Sequence, residues 1–117
     1  MYDENILKPK SKKFALRIIK LYEYLQEQKK EFVMSKQILK SGTSIGANIM
    51  EGIYAQSRPD FGSKLSIALK EAGETEWWLE LLEEAEYINK KEVQSMLVDC
   101  REIIRILSAI TKKIYEK

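Results

Sequence analysis

Residues 57–87 read SRPDFGSKLSIALKEAGETEWWLELLEEAEY. Within them Phe61, Leu65, Ala68, Ala72, Thr75, Leu79 and Leu82 recur at three- and four-residue intervals. An α-helix turns once in about 3.6 residues, so this spacing gathers the seven onto one face. Ser57 followed by Asp60 resembles a capping box with Asp in place of Glu, and Pro59 suits a first helical turn. The stretch predicts a helix over 58–87.

The same reading extends in both directions. Upstream, Ile38, Ser41, Ile45, Asn48, Gly52 and Ala55 form a second stripe, and Ser35 is the expected N-cap of a helix over 35–56. Further back, Phe14, Ile18, Leu21 and Leu25 are widened by Ala15, Ile19 and Tyr22. Lys10, Lys13, Arg17 and Lys20 cover the opposite side. Pro9 suits the opening turn of that helix, expected over 9–28. Downstream, Asn89 with Glu92 marks the start of a helix over 90–115, with Val93, Met96, Cys100, Ile103, Leu107, Ile110 and Ile114 as its seam. Short connections make successive helices antiparallel neighbours. The expected fold is all-α, one domain over 1–117, an antiparallel up-down-up-down four-helix bundle.

Composition excludes several chemistries. The chain has 117 residues, no histidine and one cysteine. Ser-His-Asp and Cys-His catalysis, zincin sites and Glu-x-x-His di-iron sites all need histidine. A single cysteine makes neither an internal disulfide nor a thiolate cluster. No cofactor is expected. The polar start MYDENILKPK has no apolar core of a signal peptide, and no run of about 18 apolar residues exists, so a cytoplasmic location with no membrane partner is expected.

All five glycines, at 42, 46, 52, 62 and 73, fall inside expected helices. Each costs about 1 kcal/mol relative to alanine there. The small-residue run Ser41-Gly42-Thr43-Ser44-Ile45-Gly46-Ala47 predicts that the second helix presses closely on a neighbour; a break near Gly42 is the alternative.

Charge is segregated. Residues 8–40 carry ten Lys/Arg against three Glu, and residues 41–89 three Lys/Arg against nine Asp/Glu. Basic and acidic helices packed side by side explain this as solvated, mutually attractive faces. A nucleic-acid surface is the other reading, and its candidates are Lys12, Lys13, Arg17 and Lys20 with Arg101, Arg105, Lys112 and Lys113. Tyr22, Tyr24 and Tyr115 lie near enough in sequence to stack on bases.

Asn48, Glu51, Glu71 and Glu74 raise three readings: a carboxylate metal site, an acid–base pair, or a polar network that sets helix register, with Asn48 bonded to a glutamate across the second and third helices. The network is the favoured reading. Cys100 reads as core filler. Trp77 and Trp78 are adjacent and point about 100° apart, which leaves Trp78 at the core's edge and Trp77 outward beside Gly73, Glu80 and Glu84. Ile103, Ile104, Ile106, Leu107, Ala109 and Ile110 surround most of the fourth helix. A helix apolar on more than one face is buried on more than one face. Self-association is therefore expected, with Trp77 and Ile106 as interface residues.

The segments SGTSIGANIMEG, Asp60-Phe61 and KLSIALKEAGETEWWLELLEEA resemble the bacterial four-helix-bundle proteins encoded in intervening sequences of 23S ribosomal RNA genes. FALRIIKLYEYL and FVMSKQILK fit as well. The likeness is close over about residues 10–90 and extends to the fourth helix by pattern. It implies a ring-shaped homopentamer related to the accessory variability determinant of diversity-generating retroelements, which works with a reverse transcriptase and binds nucleic acid. It also implies that Ser44, Asn48, Glu51, Asp60, Phe61, Glu71 and Glu74 are signature positions. Those retroelement proteins are strongly basic, whereas this chain is nearly balanced. The expected function is a non-enzymatic homo-oligomeric interaction protein, with RNA as a partner through Lys and Arg of the first and fourth helices. The alternative is a scaffold that recruits a protein such as a reverse transcriptase through Trp77 and the acidic third helix.

Overall fold

The computed structural model describes residues 2–116, with side chains from Ile6 to Glu116. Asp3 and Glu4, which carry two of the acidic charges, lie outside the described side chains. Four helices follow in order: α1 Tyr2–Glu27, α2 Met34–Ile53, α3 Arg58–Glu84 and α4 Lys90–Tyr115. Each packs along its sequence neighbours, and α1 closes against α4; the diagonal pairs face each other only across the core. The molecule measures 47 × 21 × 20 Å, about one long helix by two helix diameters. This is the expected all-α up-down-up-down bundle.

The core follows the stripes. Phe14, Ile18 and Leu25 of α1 meet Ile38, Ile45 and Ile49 of α2, Leu65, Ala72 and Leu79 of α3, and Met96, Cys100, Ile103 and Leu107 of α4. Three positions differ from the expected seams. α2 ends at Ile53, three residues short of the expected end, so Ala55 lies beyond the helix. On α2 the buried residue is Ile49, not Asn48, which is half-buried beside it. On α1 Ile19 is exposed rather than a widening of the core. It lies about 100° beyond the buried Ile18, too far round to follow it inward.

α1 starts a full two turns earlier than Pro9 suggested, with Pro9 inside it. The apolar stripe continues backwards through buried Ser11 to Leu7, which is 1% exposed. Burying a leucine is worth about 1.5–3 kcal/mol, comparable to the roughly 3 kcal/mol cost of an interior proline.

The other termini divide into expected and unexpected. Ser57 accepts the Asp60 amide at 3.1 Å, and Asn89 accepts the Glu92 amide at 2.8 Å. Ser35 does not cap α2. The cap comes from Glu31, whose carboxylate accepts the amides of Val33 and Met34 at 3.1 Å and of Ser35 at 2.7 Å. Ser35 instead donates its hydroxyl to the Glu31 carbonyl at 2.8 Å. A charged acceptor at a helix N-terminus meets both the free amides and the helix dipole. α3 stops at Glu84, three residues short of the expected end. Glu86 adopts φ 66°, and the Tyr87 amide returns to the Leu82 carbonyl at 2.9 Å while the Glu86 amide bonds Glu83. These two bonds close a Schellman motif.

Helix α2 is continuous through Gly42. A Cβ there would stand 2.7 Å from Ile18 Cγ1, so the glycine is what lets α1 and α2 approach.

Candidate functional site

The eight candidate cations do not form one patch. Arg17 spans α1 and α4: its guanidinium meets Asp99 at 2.7 Å, Glu92 at 3.3 Å and the Ser95 hydroxyl at 3.1 Å. Arg101 ties α4 to α3 through Glu76 at 2.7 Å and Glu80 at 3.4 Å. Both are engaged in holding helices together. Lys20 reaches Glu23 at 3.6 Å on the solvent side. Lys12, Lys13, Arg105, Lys112 and Lys113 make no ion pair among the described residues.

The cations left accessible fall into two groups. Lys12, Lys13 and Lys20 stand on the outward face of α1. Arg105, Lys112 and Lys113 lie towards the C-terminal end of α4, where exposed Tyr115 also sits. The N-terminal end of α3 packs there: a Cβ on Gly62 would come within 3.1 Å of the Tyr115 hydroxyl oxygen. Exposed Arg58, in the first turn of α3, therefore joins this end of the bundle. Lysines in the last turn of a helix also answer its negative dipole end. Tyr22 is half-buried and Tyr24 lies at the other end of α1, so Tyr115 is the aromatic that stands with the α4 cations.

The expected polar network is absent in its predicted form. Asn48 donates to the Ser44 carbonyl at 2.8 Å, and the Ser44 hydroxyl donates to the Lys40 carbonyl at 2.6 Å, both within α2. Glu51 pairs with Lys64 at 3.7 Å, and Asp60 with the same lysine at 3.9 Å. Glu74 accepts the Trp78 indole N–H at 3.2 Å. Glu71 is half-buried on α3 and takes part through its backbone carbonyl. The polar link across α2 and α3 is made by two smaller residues. The Thr75 hydroxyl donates to the Glu71 carbonyl at 2.8 Å, and the Ser41 hydroxyl lies 2.8 Å from it in the core. The signal was available: both residues belong to the predicted seams, and a buried hydroxyl needs a partner.

No group of three or more Cys, Asp or Glu is placed to share a metal ion among the described residues. Cys100 is buried, and its thiol donates to the Ala72 carbonyl at 3.4 Å. Burial, with Glu76 nearby, pushes its pKa up to about 12, so the nucleophilic thiolate is suppressed.

Trp77 is 56% exposed on α3, while Trp78 is half-buried against the core. Ile106 is half-buried on α4, one and two turns beyond Glu102 and Asp99, the residues that pair with Lys10 and Arg17 of α1. It therefore belongs to the α1 side of α4, away from Trp77. Sequence reading passed over Leu16, which is 58% exposed. Its signal was its setting: Lys12, Lys13 and Lys20 surround it at one-turn spacing. A shallow groove of about 350 Å³ between α1 and α4 is floored by Leu21, Ile88 and Met96. No helix among the described residues is long and apolar enough to cross a membrane.

A family model described as 23S rRNA-intervening sequence protein matches residues 3–109. Among solved structures, the chain is similar to a protein of unknown function from the S23 ribosomal protein family of Bacteroides thetaiotaomicron VPI-5482. That crystal structure is 57% identical, covers 94% of this chain and 98% of its own, and superposes with a TM-score of 0.92. No curated protein matches the chain.

Proposed function

The chain belongs to the 23S rRNA-intervening sequence protein family, and from that membership we propose that it is a non-enzymatic, self-associating bundle that holds RNA by its phosphates. The observation that carries this reading is the cationic end of the bundle. Arg105, Lys112 and Lys113 stand there with Arg58, and none of the four makes an ion pair among the described residues. Lys and Arg are the usual phosphate contacts, and Tyr115 beside them offers a face for an unstacked base. Three or four cations per copy make a weak site. Repetition of that site around an assembly multiplies it by effective concentration, without any new contact. The bundle is bacterial and cytoplasmic in this reading, where RNA is at hand. This reading is supported by the suppressed Cys100 thiol and by the separate partners of the Glu51 and Glu74 carboxylates, Lys64 and the Trp78 indole.

The test is binding of a fluorescent single-stranded RNA, followed by anisotropy at rising salt. Each phosphate neutralised contributes about −0.7 to the slope of log affinity against log salt. Three contacts therefore give a slope near −2 per copy engaged, and the double variant Lys112→Glu/Lys113→Glu flattens it. Binding indifferent to salt, or no binding at 50 mM salt, overturns the proposal.

A further inference from the structure

Helices α1 and α3 stand diagonally across the core of the bundle, so their outward faces look to opposite sides of the molecule. Each carries an exposed apolar centre. On α1 this is Leu16, 58% exposed, with Ile19 beside it. Three of the four positions one turn away from Leu16 are Lys12, Lys13 and Lys20. On α3 the centre is Trp77, 56% exposed. Its one-turn neighbours are Gly73, Glu74, Glu80 and Leu81, with Glu84 a turn further on. One centre is rimmed by cations and the other by carboxylates.

Gly73 adds to the asymmetry. A Cβ built there meets nothing within 4 Å, unlike those at the other four glycines. Its cost to the helix therefore has no return inside the protomer, whereas Gly42 is required by Ile18. A missing side chain next to an outward indole leaves room for a second surface to come close.

We propose that these two faces are the two halves of one interface, the α3 face of each copy seating on the α1 face of the next. Trp77 packs on Leu16 and Ile19, and the glutamate rim lies against the lysine rim. This rests on the self-association reading above and adds its geometry. Because the halves lie on opposite sides of a protomer, the contact is head-to-tail and cannot close as a two-fold dimer; it propagates into a ring or a filament. The indole is the expected hot spot, and the charged rims set register and choice of partner. Lys12, Lys13 and Lys20 are thereby committed to the neighbouring copy, and the α4 end of the bundle stays open to phosphate.

Charge reversal tests this on the full chain, by light scattering with circular dichroism to follow folding. The wild type is expected well above the 13.7 kDa of one chain. Lys12→Glu/Lys20→Glu alone, and Glu74→Lys/Glu84→Lys alone, are expected near monomer mass with unchanged helicity, their self-association weakened tenfold or more. Mixing the two restores assembly, since every contact between unlike variants again joins opposite signs; an odd-numbered ring cannot alternate throughout, so the mixture forms even-numbered rings or open chains. Trp77→Ala lowers assembled mass without changing helicity. If either charge variant alone keeps the wild-type mass, or if mixing restores nothing, this pairing is overturned while self-association stands. A wild type of monomer mass overturns both.

Discussion

Gly42 and Ile18 meet where α1 and α2 are closest. A methyl on Gly42 would fall within 3.2 Å of three Ile18 carbons, among them Cβ itself. Ile18 is fully buried and β-branched, so it has no rotamer to escape into. Overpacking costs about 1–3 kcal/mol, against a gain of roughly 1 kcal/mol in helix propensity. Gly42→Ala is therefore expected to lower stability by about 1 kcal/mol, read from urea denaturation. Cys100 makes a prediction of a different kind. Its thiol rises from an ordinary value of 9.0 to about 12 in the folded state. The neutral thiol is thus favoured by folding. The stability this brings is complete below pH 9 and is lost as pH climbs towards 12. The difference in stability between the wild type and Cys100→Ala should stay constant up to about pH 9 and shrink beyond it. At pH 8 the native thiol should resist a thiol reagent that labels the unfolded chain at once. The burial of Cys100 was legible from its place in the seam; the close contact of Gly42 was legible only as small size, because its partner lies on another helix.

At the scale of the helix, starts were easier to read than ends. Ser57 and Asn89 cap as expected, because a cap joins a side chain to an amide three residues away and the pattern is local. The cap of α2 differs from the Ser35 that the sequence suggests, because Glu31 reaches its amides from before the helix and leaves Ser35 to pack inside. Pro9 suggests a boundary, but α1 runs back past it because Leu7 has a core to enter. The end of α3 carries no glycine to mark it. Glu86 takes the left-handed conformation that glycine adopts freely, and Lys30 does the same after α1 at φ 53°. Glu86→Gly should therefore stabilise the bundle by about 0.5–1 kcal/mol, seen as a higher midpoint in thermal melts. An unchanged or lower midpoint would mean that the Glu86 side chain contributes more than its backbone costs.

Across the whole molecule the four seams are unequal. The α2–α3 contact is the most extensive and the α1–α4 contact the least. The latter is held at its surface by the Arg17 and Lys10 ion pairs and flanked by the groove over Leu21 and Met96. Exposed ion pairs contribute about 0–1 kcal/mol each, so this seam should open first. Hydrogen exchange should show the middle of α2 and α3 as the most protected amides, with α1 and α4 exchanging sooner. Uniform protection across all four helices would contradict that order. The four helices, their seams and their antiparallel order followed from the sequence alone, because helical periodicity repeats over a few residues and short connections leave neighbours no other arrangement. The tertiary structure decided which charges remain free. Arg17 finds Asp99 across 82 residues, and Arg101 finds Glu76 on a different helix from its own. It likewise decided that Ser41 and Thr75, rather than Asn48 and a glutamate, share the core hydrogen bond. Whether a side chain is paired, buried or open to a partner depends on what stands a few ångströms away in space, and no spacing along a single helix carries that.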